Sequence, residues 1–418
     1  VIGVAEAESQ LFAWADRILA ADTSTKSHSA LELTHAKSAH IADGLVADRD
    51  FPPFDRVTMD GIAVRFSDIR DGLQQLRIAG VQAAGTPPLE LTQPGCCIEV
   101  MTGAVLPVGA DTVIRYEDID IAAGVATLRL SVLDSLSQGQ NIQRRASECA
   151  AGAQVVPPGT VWRSPHWAIA ASVGKVKLHS KRQLRILILA TGDELVPPHA
   201  VPRAHEIRAS NPFALAAALR DHGFEGVTTG IVGDDPAALV DMLGEKRGQL
   251  DVCILTGAVS AGKFDHVPQT LGQLGVTQVF HRVRQRPGKP LWFGVSQTGT
   301  LVFGLPGNPV SALVSCYRYV IPTLRRRLGY PVRAGLQAQL AEPIRSNPAL
   351  SCFIPVVECE PGSALRTVRP LKLIAGLHAL GSGDLVALAQ SDGFVECPEG
   401  AGDYSAGTQL RYFPWERV

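Results

Sequence analysis

From residue 184 onward the sequence alternates between two hydrophobic periods, and this alternation constrains the fold more than any other feature. Residues 184–192 (LRILILATG) form an apolar run that fits a strand buried on both faces. NPFALAAALRDHG then reads as a helix, with Asn211 as its cap and Pro212 at its first position. GVTTGIV is a strand. DDPAALVDMLGEKRG is a helix with acidic residues at its start. DVCILTG is a strand, HVPQTLGQLG a helix, and LWFGV and TLVFGLPG are further strands. NPVSALVSCYRYVIPTLRRR is a helix opened again by Asn-Pro. Arg325, Arg326 and Arg327 close it, where cations offset the helix dipole. Alternation of this kind predicts a three-layer α/β domain with a largely parallel sheet.

The rest of the chain follows other patterns. Residues 8–22 carry apolar side chains at helical spacing, and residues 30–48 continue in a helix-like or mixed fashion. Pro52 and Pro53 end any helix there. Residues 60–160 hold short apolar runs (CCIEVM, DTVIRY, ATLRLSVL) between Gly, Pro and Asp, the pattern of a small β-rich domain. SPHWAIAASVG reads as a short helix ending at Gly174. Residues 322–331, bounded by prolines, mark a boundary, and residues 332–418 return to β-like segments. A length of 418 residues leaves room for about two to four domains.

Charge and cysteine content narrow the function. The net charge is −1, so no basic excess points to nucleic acid or to an anionic membrane. An anionic ligand must therefore be held by a local site. The eight cysteines include no CxxC pair, which argues against structural zinc and for reduced thiols in a cytoplasmic protein. The N-terminus lacks the pattern of a signal peptide. The most apolar run falls far short of the ~20 residues that span a bilayer.

In an open α/β sheet, ligands bind at the carboxyl ends of the strands. Three unusual loops are expected there: TGDELVPP, TGAVSAGKFDH and LPGNPVSA. Gly257, Gly262, Gly304 and Gly307 allow close backbone approach. Asn308-Pro309 opens a helix whose N–H groups favour phosphate. Ser260 and Ser311 add hydroxyls, and RQRPGKP places Arg286 and Lys289 on either side of a rigid Pro-Gly turn. Asp193, Glu194, Asp234, Asp235 and Asp265 accompany them, which makes sense if Mg²⁺ bridges acidic groups and phosphates. Each element also has a plainer role. The glycine loops could be simple turns, Asp234 a helix cap, Asp193 a turn residue and Lys289 a surface lysine. His266 and His281 read as loop or strand-surface residues, since no second ligand sits at metal spacing.

These segments also resemble a known family. FPPFDRVTMDGIAVR is similar to its proline-rich signature ending in MDGYAVR, and VMTGAVLPVGADTVI to its MTGAP segment. GQNIQRRASECAAGAQVVPPGT, ATGDELV, TGAVSAGKFD, RPGKP and GLPGNPVSAL follow in the family's order. The chain thus resembles the molybdopterin molybdenumtransferase (MoeA/gephyrin E-domain) family over nearly its whole length. The resemblance implies a multidomain α/β plus β fold: a three-layer α/β molybdopterin-binding domain, two smaller β-rich domains and a linking segment. The implied boundaries are an N-terminal helix in 1–27 packing on the α/β domain, a linking domain in 28–51 and 151–180, a β-rich domain in 52–150, the α/β domain in 181–328 and a C-terminal β domain in 329–418.

The resemblance further implies an elongated homodimer whose site lies between the α/β domain of one subunit and the β-rich domain of the other. Adenylylated molybdopterin and molybdate would be substrates, Mg²⁺ the cofactor, AMP a product and a molybdopterin adenylyltransferase a partner. Asp60, Glu194, Asp234, Asp265 and Lys289 match catalytic positions, with Glu194, Asp234 and Asp265 near the metal. Thr102, Ser260, Gly262, Arg286, Pro290, Gly307, Asn308, Ser311 and Ser382 match substrate-binding positions. Four departures stand out. Ala258 replaces a second glycine, Arg286 replaces a lysine, Glu148 stands where Asp is usual, and Phe353-Ile354-Pro355 replaces an FQR-like segment. These leave two alternatives, a non-catalytic pterin-binding scaffold and a nucleotide pyrophosphate hydrolase sharing the α/β domain.

Overall fold

The computed structural model describes residues 1–21, 28–33, 39–133, 135–181, 183–246, 248–257, 267–332, 335–360, 366–371 and 384–415. They divide into two compact units, one of residues 1–31, 37–42 and 179–418, the other of 32–36 and 43–178.

The first unit contains the expected α/β domain. Its six-stranded sheet runs in the order Val227–Val232, Ile186–Thr191, Val252–Thr256, Leu301–Leu305, Trp292–Ser296, Val276–His281. The first four strands are parallel in continuous register, Ile186 opposite both Val227 and Val252, and Val252 opposite Leu301. Trp292–Ser296 is antiparallel to both of its neighbours, so it alone runs backwards. Alternate side chains of each strand enter different cores. Ile186, Ile188, Ile254 and Phe303 pack with Leu215 and Leu219 of helix Asn211–Asp221, Val310 and Val314 of helix Pro309–Ser315, and Val4, Ala7 and Leu11 of the N-terminal helix. Leu187, Leu189, Leu255 and Val302 pack with Leu239 of helix Pro236–Glu245 and with Val267 and Leu271 of helix Val267–Gln273. Burial on both faces is why these strands are continuous apolar runs.

Residues beyond the α/β domain build a small closed sheet in the same unit. Strands Ser351–Glu358, Thr367–Pro370, Leu336–Leu340, Gln409–Pro414 and Gly393–Cys397 pair in that order, and the last returns to the first through Cys352 opposite Cys397. Closure removes free edges. The short strand Gln285–Arg286, from the α/β domain, adds to it in parallel, Gln285 opposite Ser351 and Arg286 opposite Cys352.

The second unit holds the expected β-rich sheet, in the order Thr112–Arg115, Gly61–Val64, Cys96–Val100, Gln75–Gln82, Val125–Leu128, Ile119–Ala122. Ile62 and Val64 face one core and Ala63 the other. The short helix Ser164–Ser172 forms, and Gly174 follows it with φ 69°. The helix-like reading of residues 30–48 does not hold. Their described parts include short strands His28–Glu32, Ala39–His40 and Leu45–Val46, and Leu45–Val46 pairs with Gln154–Val156. Pairing with a distant strand overrides the helix propensity of the alanines.

Arg325, Arg326 and Arg327 fill the last turn of helix Ile321–Arg327, where cations offset the dipole as expected, and two of them also bind specific partners. Arg326 makes two 2.7 Å bonds to Asp16 of the N-terminal helix, and Arg325 donates to the Pro331 carbonyl. Upstream, Arg318 is only 2 % exposed, in the π-helical turn Cys316–Val320. Its guanidinium binds Glu8 of the N-terminal helix at 2.6 Å and Glu396 of the C-terminal sheet at 3.1 Å. Arg411 approaches the same two carboxylates at 3.8 and 3.5 Å. Removing one partner from such a cluster strands the rest. Arg318→Met is therefore expected to lower unfolding free energy by about 3–5 kcal/mol, read from urea denaturation; a loss below about 1 kcal/mol would count against the cluster as the tie between these elements.

Candidate functional site at the strand ends of the α/β domain

The register of the four parallel strands brings their carboxyl ends side by side, Thr191 opposite Val232 and Thr256 opposite Leu305. The loops that follow meet there. Gly257 has φ 97°, and a Cβ on it would lie 2.5 Å from the Thr191 carbonyl oxygen. Only glycine fits such an approach. Across from it, a Cβ on Gly307 would lie 3.5 Å from the Gly257 Cα. The Gly307 carbonyl accepts a 2.7 Å bond from Asn211 Nδ2. The PGNP turn is thereby fixed between strand end and helix.

The acidic loops join the same edge. Asp193 Oδ1 accepts from the Asp234 backbone N–H at 3.0 Å. The carboxylate of Glu194 lies against Gly192. Asp193 and Glu194 are exposed and Asp234 half-buried. Asp235, not Asp234, caps the following helix, accepting from Ala237 N at 2.9 Å. Asp235 is the residue next to Pro236, with the extended backbone (φ −81°, ψ 114°) that a cap needs. Asp234 is thus left at the edge. Asn211 is likewise not the cap of its helix: Ser210 precedes the first turn, and the Asn211 side chain turns toward Gly307 instead.

The 286–290 turn packs beside the helix that follows PGNP. A Cβ on Gly288 would lie 3.0 Å from Ser315 Oγ and 3.6 Å from the Ser311 carbonyl oxygen. Arg286 and Lys289 are exposed on either side of it, with Pro290 half-buried. Neither cation has a carboxylate partner among the described residues, whereas the neighbouring Arg284 is paired with Glu399 at 3.2 Å. Gly307 and Asn308 are exposed, but Ser311, expected to offer its hydroxyl, is 2 % exposed and lies under the turn. Ser260, Gly262, Asp265 and His266 fall outside the described residues, as does Ser382.

Asp60 and Thr102 meet in the β-rich sheet of the second unit, where Asp60 Oδ1 accepts from the Thr102 N–H at 2.6 Å. Both are exposed. The hydrogen bonds from Thr102 hold the Asp60 carboxyl below its ordinary range. Glu148 accepts from Gln143 Nε2 at 2.7 Å in the same unit. Among the described residues no three His, Cys, Asp or Glu side chains are grouped as a metal cluster, and no helix is long and apolar enough to cross a membrane. An apolar cavity lined by Leu243, Leu250, Cys253, Leu271, Val276 and Val302 lies at the opposite, amino-terminal ends of the strands, away from these polar groups. Gln285, Ser315 and Tyr319, polar residues that shape the edge, carry no motif in the sequence, and Asn211 reads there only as a helix cap. A tyrosine and an arginine inside the apolar helix SCYRYVIP were the available signal.

Fold and site define a class, multidomain proteins whose α/β domain gathers glycine turns, exposed cations and carboxylates at its strand ends. Three family descriptions cover the chain: "MoeA N-terminal region (domain I and II)" over residues 2–174, "Probable molybdopterin binding domain" over 187–326 and "MoeA C-terminal region (domain IV)" over 337–415. The chain belongs to the molybdopterin molybdenumtransferase (MoeA) family, transferases of molybdenum cofactor biosynthesis. It is 35% identical to the molybdopterin molybdenumtransferase of Synechocystis sp. over 378 residues, 90% of this chain and 92% of that one. It is 31% identical to molybdopterin molybdenumtransferase 2 of Mycobacterium tuberculosis over 391 residues, 91% and 93% of the two chains. The crystal structure of a molybdopterin biosynthesis MoeA protein from Pyrococcus horikosii matches with a TM-score of 0.73 at 26% identity over 100% of both chains.

The lowered Asp60 value gives a sign for its pH dependence. The bond from Thr102 to the carboxylate is present at neutral pH and persists below about 3.9, the usual aspartate value. It is lost only as pH falls through the lowered folded value. In an NMR titration the Thr102 amide proton should move with a midpoint below that value; a midpoint at or above it would remove the bond from the argument.

Proposed function

We propose that the protein inserts molybdate into adenylylated molybdopterin and releases AMP, using the strand-end edge of its α/β domain. The observation that carries this reading is a pair of exposed cations, Arg286 and Lys289, with no carboxylate partner among the described residues, on a rigid turn that packs against the helix following the PGNP turn. Lys289 offsets the charge of the pyrophosphate link, and Arg286 holds molybdate beside the pterin thiolates. Gly307 and Asn308 approach the ligand through their backbone, with Pro290 keeping the turn extended. Ser260, Gly262 and Ser382 complete substrate binding, while Ser311, buried under the turn, supports it from behind. Glu194 and Asp234, with Asp265, are the hard oxygen donors Mg²⁺ takes, and when bound the ion would supply charge neutralisation at the phosphates. Asp234 is not taken up as the helix cap, because Asp235 serves there. Positioning of the two substrates supplies much of the rate. The protein acts as a cytoplasmic homodimer in which Asp60 and Thr102 of one subunit serve the site of the other, fed by a molybdopterin adenylyltransferase.

The test supplies adenylylated molybdopterin, molybdate and Mg²⁺ and measures AMP and active cofactor together. Both products are expected from the native protein. Lys289→Ala and Asp60→Ala should each cut turnover by roughly 10²–10³-fold with unchanged thermal unfolding. AMP without cofactor would replace the proposal with a pyrophosphate hydrolase, and binding without either product with a scaffold.

A further inference from the structure

Behind the 286–290 turn lies a set of buried polar groups that the proposed reaction does not use. Gln285 is 1 % exposed. Its Nε2 donates to the carbonyls of Pro287 at 3.2 Å and Gly288 at 3.1 Å. Its Oε1 accepts a short hydrogen bond from the Tyr319 hydroxyl. A carboxamide can present either end to a neighbour, and the tyrosine decides which. Burial pushes the Tyr319 hydroxyl far up from its ordinary range, so it remains a donor at any working pH.

The consequence for the turn is geometric. A trans peptide is planar, so its C=O and N–H point in opposite directions. With the Gly288 carbonyl drawn inward to Gln285, the N–H of Lys289 points away from that buried amide. The other side of Lys289 is fixed as well, because its carbonyl accepts from Val283 N at 2.9 Å. Pro290 limits the lysine backbone to extended conformations. Gly288 makes the arrangement possible: φ is 90°, and a Cβ there would lie 2.7 Å from Gln285 Nε2. Gln285 itself is anchored by strand pairing with Ser351 of the closed C-terminal sheet. Thus a side chain seated between the α/β domain and that sheet sets the pose of the turn.

We propose that Gln285, oriented by Tyr319, is a positioning residue that holds the 286–290 turn so that the Lys289 ammonium and the Lys289 N–H converge on one phosphate group. This rests on reading the turn as a phosphate site. A leucine of similar size would leave two carbonyls without their donor and free the turn to reorient. A glutamate is more diagnostic. Ionised, it offers only acceptors to two carbonyl oxygens; protonated, it regains one O–H donor.

Inorganic pyrophosphate is the probe, titrated calorimetrically into the full-length native protein, Gln285→Leu, Gln285→Glu and Lys289→Ala, with thermal unfolding recorded for each. Lys289→Ala and Gln285→Leu are each expected to weaken binding roughly tenfold or more. Gln285→Glu should bind weakly at pH 8 and recover toward the native protein at pH 5. The ratio of variant to native affinity at each pH cancels the titration of the ligand. Purely structural support would not give a recovery that follows protonation. If Lys289→Ala weakens binding and Gln285→Leu does not, the positioning role falls while the phosphate site stands. If the native protein does not bind, or Lys289→Ala binds unchanged, the phosphate reading itself falls. Should Gln285→Leu not fold, the glutamate series decides: a ratio constant from pH 8 to pH 5 overturns the proposal.

Discussion

The contact between Gly257 and the Thr191 carbonyl is the constraint on which the strand-end edge depends. Parallel strands in register bring loop beginnings together whether or not the loops can share the space. Here they can, because the first residue past Val252–Thr256 has no side chain and adopts φ 97°. A Cβ at that point would push first against the backbone oxygen of Thr191 in a buried strand, which cannot swing away, and then against the Thr191 hydroxyl. With it absent, the PGNP turn reaches Gly257 from the next strand, and Asn211 secures that turn through the Gly307 carbonyl.

Two sets of cations can be distinguished. Arg318 and Arg411 are held by Glu8 and Glu396, Arg326 by Asp16 and Arg284 by Glu399. They join segments that are far apart in sequence, and their charge is matched locally. Arg286 and Lys289 are exposed without such carboxylates among the described residues. A protein of net charge −1 can in this way present concentrated positive charge at one turn. The long-range field stays weak, so attraction of an anion is local and depends on how well the turn is posed.

Much of this was legible in the sequence, and where it was not the reasons are physical. The three inner parallel strands Ile186–Thr191, Val252–Thr256 and Leu301–Leu305 were plain because they are buried on both faces; the edge strand Val276–His281 was not, since only Phe280 of it is buried. Convergence of the TGDELVPP, TGAVSAGKFDH and LPGNPVSA loops followed from topology alone, and their described residues do meet at one edge. The choice between Asp234 and Asp235 did not, because adjacent carboxylates before a proline are equivalent until the backbone angles assign one as cap. Arg318 inside an apolar helix announces a buried ion pair, but its partner Glu8 lies 310 residues away, a separation no local pattern encodes. The strand Gln285–Arg286 is too short to show a period at all.

Asn211 and Gln285 show why side chains of this kind escape motif reading. Each is a carboxamide, mostly enclosed, and in each the nitrogen holds backbone carbonyls of a turn at the strand-end edge. A motif records the residues at the turn, since those need particular shapes and charges. The amide behind it needs only a donor at the right distance, which several residue types on several elements could supply. Its identity is set by the depth of the space between turn and core. At Gly288 that space admits a glutamine anchored in a neighbouring sheet. The backbone of the exposed lysine is therefore held by a contact between domains, one residue before the segment proposed to carry the chemistry.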